Sequence, residues 1–322
     1  MLSNASSSGE HWDVEYSGEI AVENMLTAGA NGTCRISELL HSHGYRFWVE
    51  TCGGRADTGA CVTCYLRWQP EEGCQGYSLL VDYRISITDQ EGAEWMSMLA
   101  EQDLLSSEVV NPDPFWLVLE ESTLRRVVKP LNLCLGLKVA QMLTGKPENL
   151  QEESPYRDFA ILVANKAYYV DVNYLAEFDS PLFDEWLECR KKGLKRTVLL
   201  NWDPDELCQF INALCVYRTP VITCRNFDFI LFQASEHKVA KVLRACERFL
   251  IDSTTVHPIR KLEIAAEHGL GMLGNSVIRL LGSGIEILES LHEYCKLNGE
   301  SMDLMHPDVL EALDIHDTFV VL

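Results

Sequence analysis

The chain has 322 residues, of which 47% are hydrophobic, and a formal net charge of -21 at pH 7. This length and apolar content predict a globular protein with one large domain or two of ordinary size. Acidic residues outnumber basic ones in both halves, so we expect neither a nucleic-acid partner nor an anionic membrane. No apolar run approaches the roughly 20 residues that a membrane-spanning helix needs.

Cysteine usage and the first residues predict the compartment. The 12 cysteines are scattered through apolar patterns, whereas secreted disulfide scaffolds concentrate them in a small, loop-rich frame. The opening segment is rich in serine and lacks the basic start and apolar core of a secretory signal. We therefore expect free thiols, a cytoplasmic or nuclear location or both, and a disordered N-terminus over residues 1–15.

Residues 16–145 are predicted to form a β-rich domain. Short apolar stretches at 45–50, 61–68, 77–88 and 115–119 alternate with turn residues, which is typical of a β-sandwich. The third stretch alternates apolar and polar residues and therefore predicts a half-buried antiparallel strand. The apolar face of this strand consists of Leu79, Val81, Tyr83, Ile85 and Ile87.

A polar segment with two prolines, residues 146–156, predicts the boundary between two domains. Beyond it, residues 159–163 and 168–170 predict a hairpin whose connection runs from Ala164 to Ala167. Helical periodicity then takes over. We expect an α+β domain over residues 157–252, a helical extension over 253–297 and a tail over 298–322.

The clearest helix is predicted to begin after Asp203, a good N-cap residue followed by Pro204 and, three positions on, Glu206. A second helix is predicted over residues 239–250 because apolar residues recur there at spacings of three and four. The buried stripe of the first helix is expected to be Leu207, Phe210, Ile211, Leu214 and Cys215.

Motifs for catalysis and metal binding are weak. Cys61 and Cys64 have metal-ligand spacing, but residues three apart on a strand point to opposite faces and no second pair follows. The stretch from Gly269 to Gly271 lacks the features of a phosphate-binding loop. No cysteine and histidine pair has a familiar catalytic signature. The sequence predicts no enzyme, no metal and no cofactor, and an enzyme with a reactive thiol in the N-terminal half stays open as an alternative.

The second domain resembles a BTB domain, especially its nematode form. The resemblance rests on DFAILVANKAYYVDVNYLAEFDSPLFDEWL, which begins at Asp158, and on TVLLNWDPDELCQFINALCVY and RACERFLI. It implies a small sheet covered by helices, a homodimer, and in many members a cullin-3 ubiquitin-ligase scaffold as partner. The residues that it suggests for dimerisation are Val172, Tyr174 and Leu175.

The resemblance also suggests which residues face the cullin scaffold, namely Phe183, Trp186, Lys192 and Leu194. Cullin-binding members carry a hydrophobic residue followed two positions later by an acid in the loop after Phe183. This chain instead has five basic residues within residues 190–196. A basic loop favours an alternative, an oligomerising scaffold or transcription-linked protein without a cullin.

The first domain resembles a MATH domain through YRFWVETCGG, TCYLRW, YSLLVDYRISITDQEG and PFWLVLEESTL. The resemblance implies a TRAF-like antiparallel sandwich that binds extended peptides of a target protein. Cys61, Tyr83 and Trp116 are the predicted groove residues, although an aromatic residue on a sandwich strand is more often part of the core. Together the two resemblances predict a substrate-recognition adaptor that binds protein, not nucleic acid or membrane.

Overall fold

The computed structural model describes residues 11–30, 32–56, 59–72, 77–106, 116–127, 129–144, 149–199, 202–216, 218–282, 284–299 and 309. The chain divides into two compact units, Met1–Lys146 and Pro147–Leu322. Antiparallel β-sheets make up most of the first unit and helices most of the second. Most of the expected N-terminal segment and of the expected tail lies outside the described residues.

The first unit is built mainly from strands. Its strands are β1 (Val14–Ile20), β2 (Cys34–Arg35), β3 (Leu40–Ser42), β4 (Tyr45–Ala56), β5 (Gly59–Pro70), β6 (Tyr77–Thr88), β7 (Glu94–Ser106), β8 (Trp116–Glu120) and β9 (Leu131–Thr144), and its helices are α1 (Val22–Ala30) and α2 (Glu121–Leu124). The strand β1 begins two residues before the expected start of the domain, and α1 was not predicted from the sequence.

The strands of the first unit form two antiparallel sheets. One has the order β1-β9-β6-β7, and the other has the order β2-β4-β5-β8 with β3 paired to β4. Hydrogen bonds from aromatic side chains connect the sheets. The Tyr45 hydroxyl donates to the Tyr77 carbonyl oxygen at 2.8 Å, and Trp68 Nε1 donates to the Ser106 carbonyl oxygen at 3.2 Å. These bonds satisfy the polar ends of two large aromatic side chains at the core.

The predicted alternation of β6 is confirmed. All five residues of its apolar face are at most 1% exposed, as expected for a strand that pairs with β7 on one side and β9 on the other. The opposite face is less exposed than expected, since Leu80 and Ser86 are also buried. Ser86 is paired with Ser97 on β7 and with Cys134 on β9, and side chains paired in this way lie against one another on the face of a sheet.

The second unit begins with a small sheet and continues with helices. Its elements are β10 (Phe159–Val163), β11 (Lys166–Val170), α3 (Val172–Ala176), α4 (Pro181–Lys191), β12 (Arg196–Val198), α5 (Pro204–Cys215), α6 (Phe227–Glu236), α7 (Ala240–Asp252), α8 (Pro258–His268), α9 (Gly271–Leu281) and α10 (Gly284–Asn298). The sheet order is β11-β10-β12, with β11 antiparallel and β12 parallel to β10.

The predicted hairpin is confirmed with a tighter connection than expected. The ladder continues to the pair Val163 and Lys166, so only Ala164 and Asn165 form the turn. Both have positive φ, 45° and 66°, as the commonest two-residue hairpin turns require. The expected linker also contributes to this unit, because Leu150 is buried in its core and accepts a backbone hydrogen bond from Tyr169.

The predicted helix after Asp203 is confirmed. The Asp203 carboxylate accepts hydrogen bonds from the backbone N–H groups of Asp205 and Glu206 at 2.8 and 3.4 Å. The stripe of α5 is buried as expected except at Cys215, which is only partly buried. The cap satisfies donors that the first turn of a helix leaves unpaired, so local chemistry is enough to specify this helix start.

A buried carboxylate joins α7 to the start of α9. Glu247 is 6% exposed, and its Oε1 accepts hydrogen bonds from the backbone N–H groups of Met272 and Leu273 at 2.7 and 3.0 Å. These groups lie in the first turn of α9, where the helix dipole favours negative charge. Glu247 therefore attaches the helical extension to the rest of the unit.

Candidate protein-interaction surfaces

Two of the three predicted groove residues belong to the core. Tyr83 is 1% exposed and lies on the apolar face of β6, and Cys61 is 7% exposed on β5. Both side chains are buried, so the structure places them away from the surface that a bound peptide would contact. The backbone of Trp116 pairs with Tyr65 at the start of β8, and the side chain of Trp116 lies outside the described residues.

The first unit has a cavity of about 590 Å³ on the outer face of the sheet β1-β9-β6-β7. Strand alternation directs Glu15, Ser17, Arg84, Ser86 and Cys134 to this face. The lining residues are Trp12, Glu15, Tyr16, Ser17, Arg84, Ser86, Cys134, Leu135 and Gly136. The cavity thus combines an indole with hydroxyl and charged groups and suits a polar ligand better than an aliphatic one.

Trp12 forms a wall of this cavity by packing on Gly136. A Cβ atom at Gly136 would lie 2.7 Å from the indole ring, closer than van der Waals contact permits. Glycine in the middle of a strand often marks such a close approach. Gly136, which interrupts the apolar pattern from Leu133 to Leu137, therefore indicates in the sequence that another residue approaches this strand closely. Trp12, the residue that does so, lies in the segment that was expected to be disordered.

One edge of the same sheet exposes apolar side chains. In the described part of the chain β7 pairs with β6 alone, and Trp95 and Met96 on it are 43% and 39% exposed. The register passes from the pair Ile87 and Met96 directly to Thr88 and Glu94, so Trp95 is the additional residue of a β-bulge. Bulges change the direction of a side chain at a sheet edge. This edge is a better candidate for peptide contact than Cys61 or Tyr83.

The thiols with a resolved shift are not activated. Burial raises the pKa of Cys64 and of Cys246 to about 12. Burial also raises the pKa of Cys208, which accepts a hydrogen bond from Asn212. A catalytic cysteine needs a lowered pKa. These three cysteines therefore lack the environment that a nucleophile requires.

Two of the three residues suggested for dimerisation are internal. Val172 and Leu175 on α3 are 0% exposed and contribute to the core of the second unit, so neither can contact a partner directly. A short helix packed on a core must bury one face, and these two positions lie on it. Asn173 and Glu177 are the exposed positions of this region.

Tyr174 is held by contacts within its own unit. Its hydroxyl donates to the Leu214 carbonyl oxygen at 3.0 Å, and the Arg218 guanidinium lies 4.5 Å above its ring. Arg218 also contacts the Asp171 carboxylate at 3.3 Å, and that carboxylate caps α3. Burial raises the pKa of Tyr174 to about 12. The half-buried Tyr174 thus joins α3 to the end of α5.

The four residues suggested to face a cullin fall into two groups. Phe183 and Trp186 on α4 are 0% and 1% exposed, and their rings contact each other edge to face in the core, with centroids 5.3 Å apart. The structure therefore places both side chains in the core and not on a surface that a partner could contact. Lys192 and Leu194 are exposed, Leu194 by 52%. Aromatic residues at helical spacing are more often core than contact, which agrees with the burial of Phe183 and Trp186.

The described residues offer neither a metal-binding cluster nor a membrane-spanning helix. Within the residues that the structure covers, no cluster of three or more His, Cys, Asp or Glu side chains could hold a metal ion. In the same part of the chain, none of the helices is both long and apolar enough to cross a bilayer.

Comparison with known proteins shows a similarity to part of a curated protein. No protein-family model matches the chain. The chain is similar to Cytokinesis defective protein 7 of Caenorhabditis elegans, with 30% identity over 110 residues. The match covers 34% of this chain and 40% of that protein. The similarity therefore concerns about a third of the chain and less than half of the relative.

Proposed function

We propose that the chain is a protein-interaction adaptor with two binding units. The first unit, as a MATH-like β-sandwich, holds a target protein. The second, as a BTB/POZ domain with a BACK-like helical extension, forms a homodimer and binds a cullin-3-type scaffold. In this proposal the assembled ligase transfers ubiquitin, and the chain supplies recognition in the cytoplasm, the nucleus or both.

The observation that carries the proposal is the order of elements in the second unit. A hairpin is followed by two short helices, a parallel third strand and the capped helix α5. Residues on which the resemblance rests lie at the ends of these elements: Asp158 precedes β10, Ser180 and Pro181 start α4, and Asp203 caps α5.

The exposed edge of β7 supports a target-binding role for the first unit. An open strand edge offers main-chain hydrogen bonds to an extended peptide, and neighbouring apolar side chains select its residues. Trp95 and Met96 supply such side chains. A tryptophan at a partner-binding surface also contributes a large area at low entropic cost.

A second candidate function is an oligomeric scaffold that binds no cullin. The exposed basic residues Lys192, Lys195 and Arg196 favour it, because the family motif has an acid in this loop. Reversing the sign of an interface charge can cost several kcal/mol against the original partner.

Light scattering separates these functions. The purified full chain is measured alone and with the N-terminal region of cullin-3. A dimer that gains the mass of the cullin fragment supports the adaptor, and a dimer that does not gain it supports the scaffold. A monomer would contradict both functions, since each needs BTB-type self-association.

A matched pair of variants tests the contact itself. Leu194→Asp should abolish the gain in mass if the loop holds the scaffold. Met272→Asp places the same charge on another exposed position of the second unit, where the native side chain is 60% exposed, and should leave binding intact.

A further inference from the structure

We propose that the outer edge of β12 binds an acidic, extended segment of a partner protein by strand addition. The surface is called the basic edge and consists of Lys192, Leu194, Lys195, Arg196 and Val198. This inference does not depend on cullin binding. It assigns a ligand chemistry to a segment whose charge is opposite to that of the family motif.

The backbone of the basic edge is available for pairing. Ala160 N–H donates to the Lys195 carbonyl oxygen at 2.9 Å, and Leu199 N–H donates to the Leu162 carbonyl oxygen at 3.0 Å. In a parallel pair, alternate residues direct both their N–H and C=O groups to the same neighbour. Arg196 and Val198 therefore direct theirs away from β10. Within the described ranges no other strand pairs with β12.

The cations of the basic edge form no salt bridge within the described residues, although Lys192 acts electrostatically on Glu188 at longer range. Two neighbouring cations have partners, because Arg190 contacts Asp158 and Lys191 contacts Glu188 at 2.9 and 2.7 Å. Among the residues that the structure covers, Lys192, Lys195 and Arg196 form no ion pair with a carboxylate. All three are exposed. Their positive charge is available to an acidic ligand.

Apolar side chains accompany the charges. Leu194 and Val198 are 52% and 57% exposed. Arg196 and Val198 lie on one face of the strand because they are two residues apart. Val198 is paired with Leu162 on β10, and Leu162 is paired with Ala167 on β11, so these three residues form one row across the sheet. A ligand strand would find a cation and an apolar contact on the same face.

These features select one kind of occupant. Lysine on a sheet edge commonly prevents pairing with other strands, and here it would reject a neutral or basic strand while attracting an acidic one. Exposed apolar residues between the cations add affinity that a purely protective edge does not need. Nucleic acid is disfavoured by the net charge of -21 on the whole chain. An acidic peptide with alternating apolar residues satisfies both the backbone and the side chains.

The experiment measures fluorescence anisotropy of a labelled peptide of alternating glutamate and valine with the full chain. We expect saturable binding that weakens as salt is added, since exposed charges are screened. Three further peptides of the same length are compared: one with glutamine for glutamate, one of glutamate alone, and one N-methylated at alternate amides. All three should bind at least about tenfold more weakly.

Two double variants test the location. Lys195→Glu with Arg196→Glu should weaken binding at least about tenfold through like-charge repulsion. Lys241→Glu with Arg244→Glu makes the same change in charge on exposed positions of α7 and should leave affinity within about twofold. Circular dichroism verifies that both variants are folded.

The proposal is overturned if the alternating peptide does not bind. Equal affinity for glutamate alone would also overturn it, since the apolar residues would then contribute nothing. Equal affinity for the N-methylated peptide would overturn it as well, since charge would then suffice without strand pairing. Equal loss in both double variants would place binding elsewhere. The light-scattering result with cullin-3 is independent of each of these outcomes.

Discussion

The carboxylate of Glu247 offers the sharpest test of how the helical extension is attached. It accepts two backbone hydrogen bonds from the first turn of α9 in a buried environment. A hydrogen bond to a charged group contributes about 1.5–3 kcal/mol, and an orphaned buried donor costs a similar amount. Glu247→Ala leaves two donors without this acceptor, so we expect α9 to lose about 3 kcal/mol of local stability.

Hydrogen exchange monitored by mass spectrometry measures this local stability. Global unfolding is less suitable because a chain with two units need not unfold in two states. A loss of about 3 kcal/mol corresponds to an increase of about a hundredfold in the exchange rates of the Met272 and Leu273 amides. Glu247→Gln keeps an oxygen acceptor but loses the charge, so its effect should be smaller, about tenfold.

Glu267 provides the matched control. It lies on α8 with its side chain 58% exposed, and exposed substitutions usually change stability by less than about 0.5 kcal/mol. Glu267→Gln should therefore leave the exchange of the α9 amides unchanged. If Glu247→Ala has no larger effect on these amides than Glu267→Gln, the buried carboxylate does not hold the extension.

Two further substitutions probe one contact in each unit. Gly136→Ala should lower the melting temperature of the first unit, since the new methyl group meets the Trp12 ring and overpacking costs about 1–3 kcal/mol. Gly271→Ala adds the same methyl group where the structure has open space, so it should not lower this melting temperature. Equal shifts in the two variants would contradict the contact between Gly136 and Trp12. Tyr174→Phe removes the hydroxyl bonded to Leu214 and should cost the second unit about 1 kcal/mol. Because the folded pKa of Tyr174 is raised from 10.0 to about 12, its contribution is complete below pH 10.0 and is lost as the pH rises toward about 12; denaturant titrations of wild type and variant that stay parallel over this range would refute the assignment.

Several features of the fold were predictable because their causes are local. The alternation along β6 follows from the two-residue repeat of a strand. The start of α5 follows from the carboxylate of Asp203, which caps the helix from within the same segment. The length of the hairpin turn between β10 and β11 was harder to predict, since the positive φ angles of Ala164 and Asn165 depend on how the two strands pair.

Site residues taken from a family resemblance were harder to predict. Val172, Leu175, Phe183 and Trp186 occupy the expected helices, but the resemblance does not specify which side of a short helix is buried. Lys192 and Leu194 are exposed because they lie in a loop, where no core competes for them. Among the residues that the resemblance suggested for partner contact, the exposed ones are therefore those outside helices and strands.

The residues alone were enough to predict the β-rich and helical parts of this protein, the strand β6 and the helix α5, whose periodicity is local, and the basic character of the loop after α4. Three features became visible only in the folded chain: Trp12 covers Gly136, Glu247 reaches the start of α9, and β12 lies at a sheet edge. In each of these cases the partner is distant along the chain or consists of backbone groups. A pattern within one segment records the chemistry of its own residues, whereas burial and pairing depend on which segments meet.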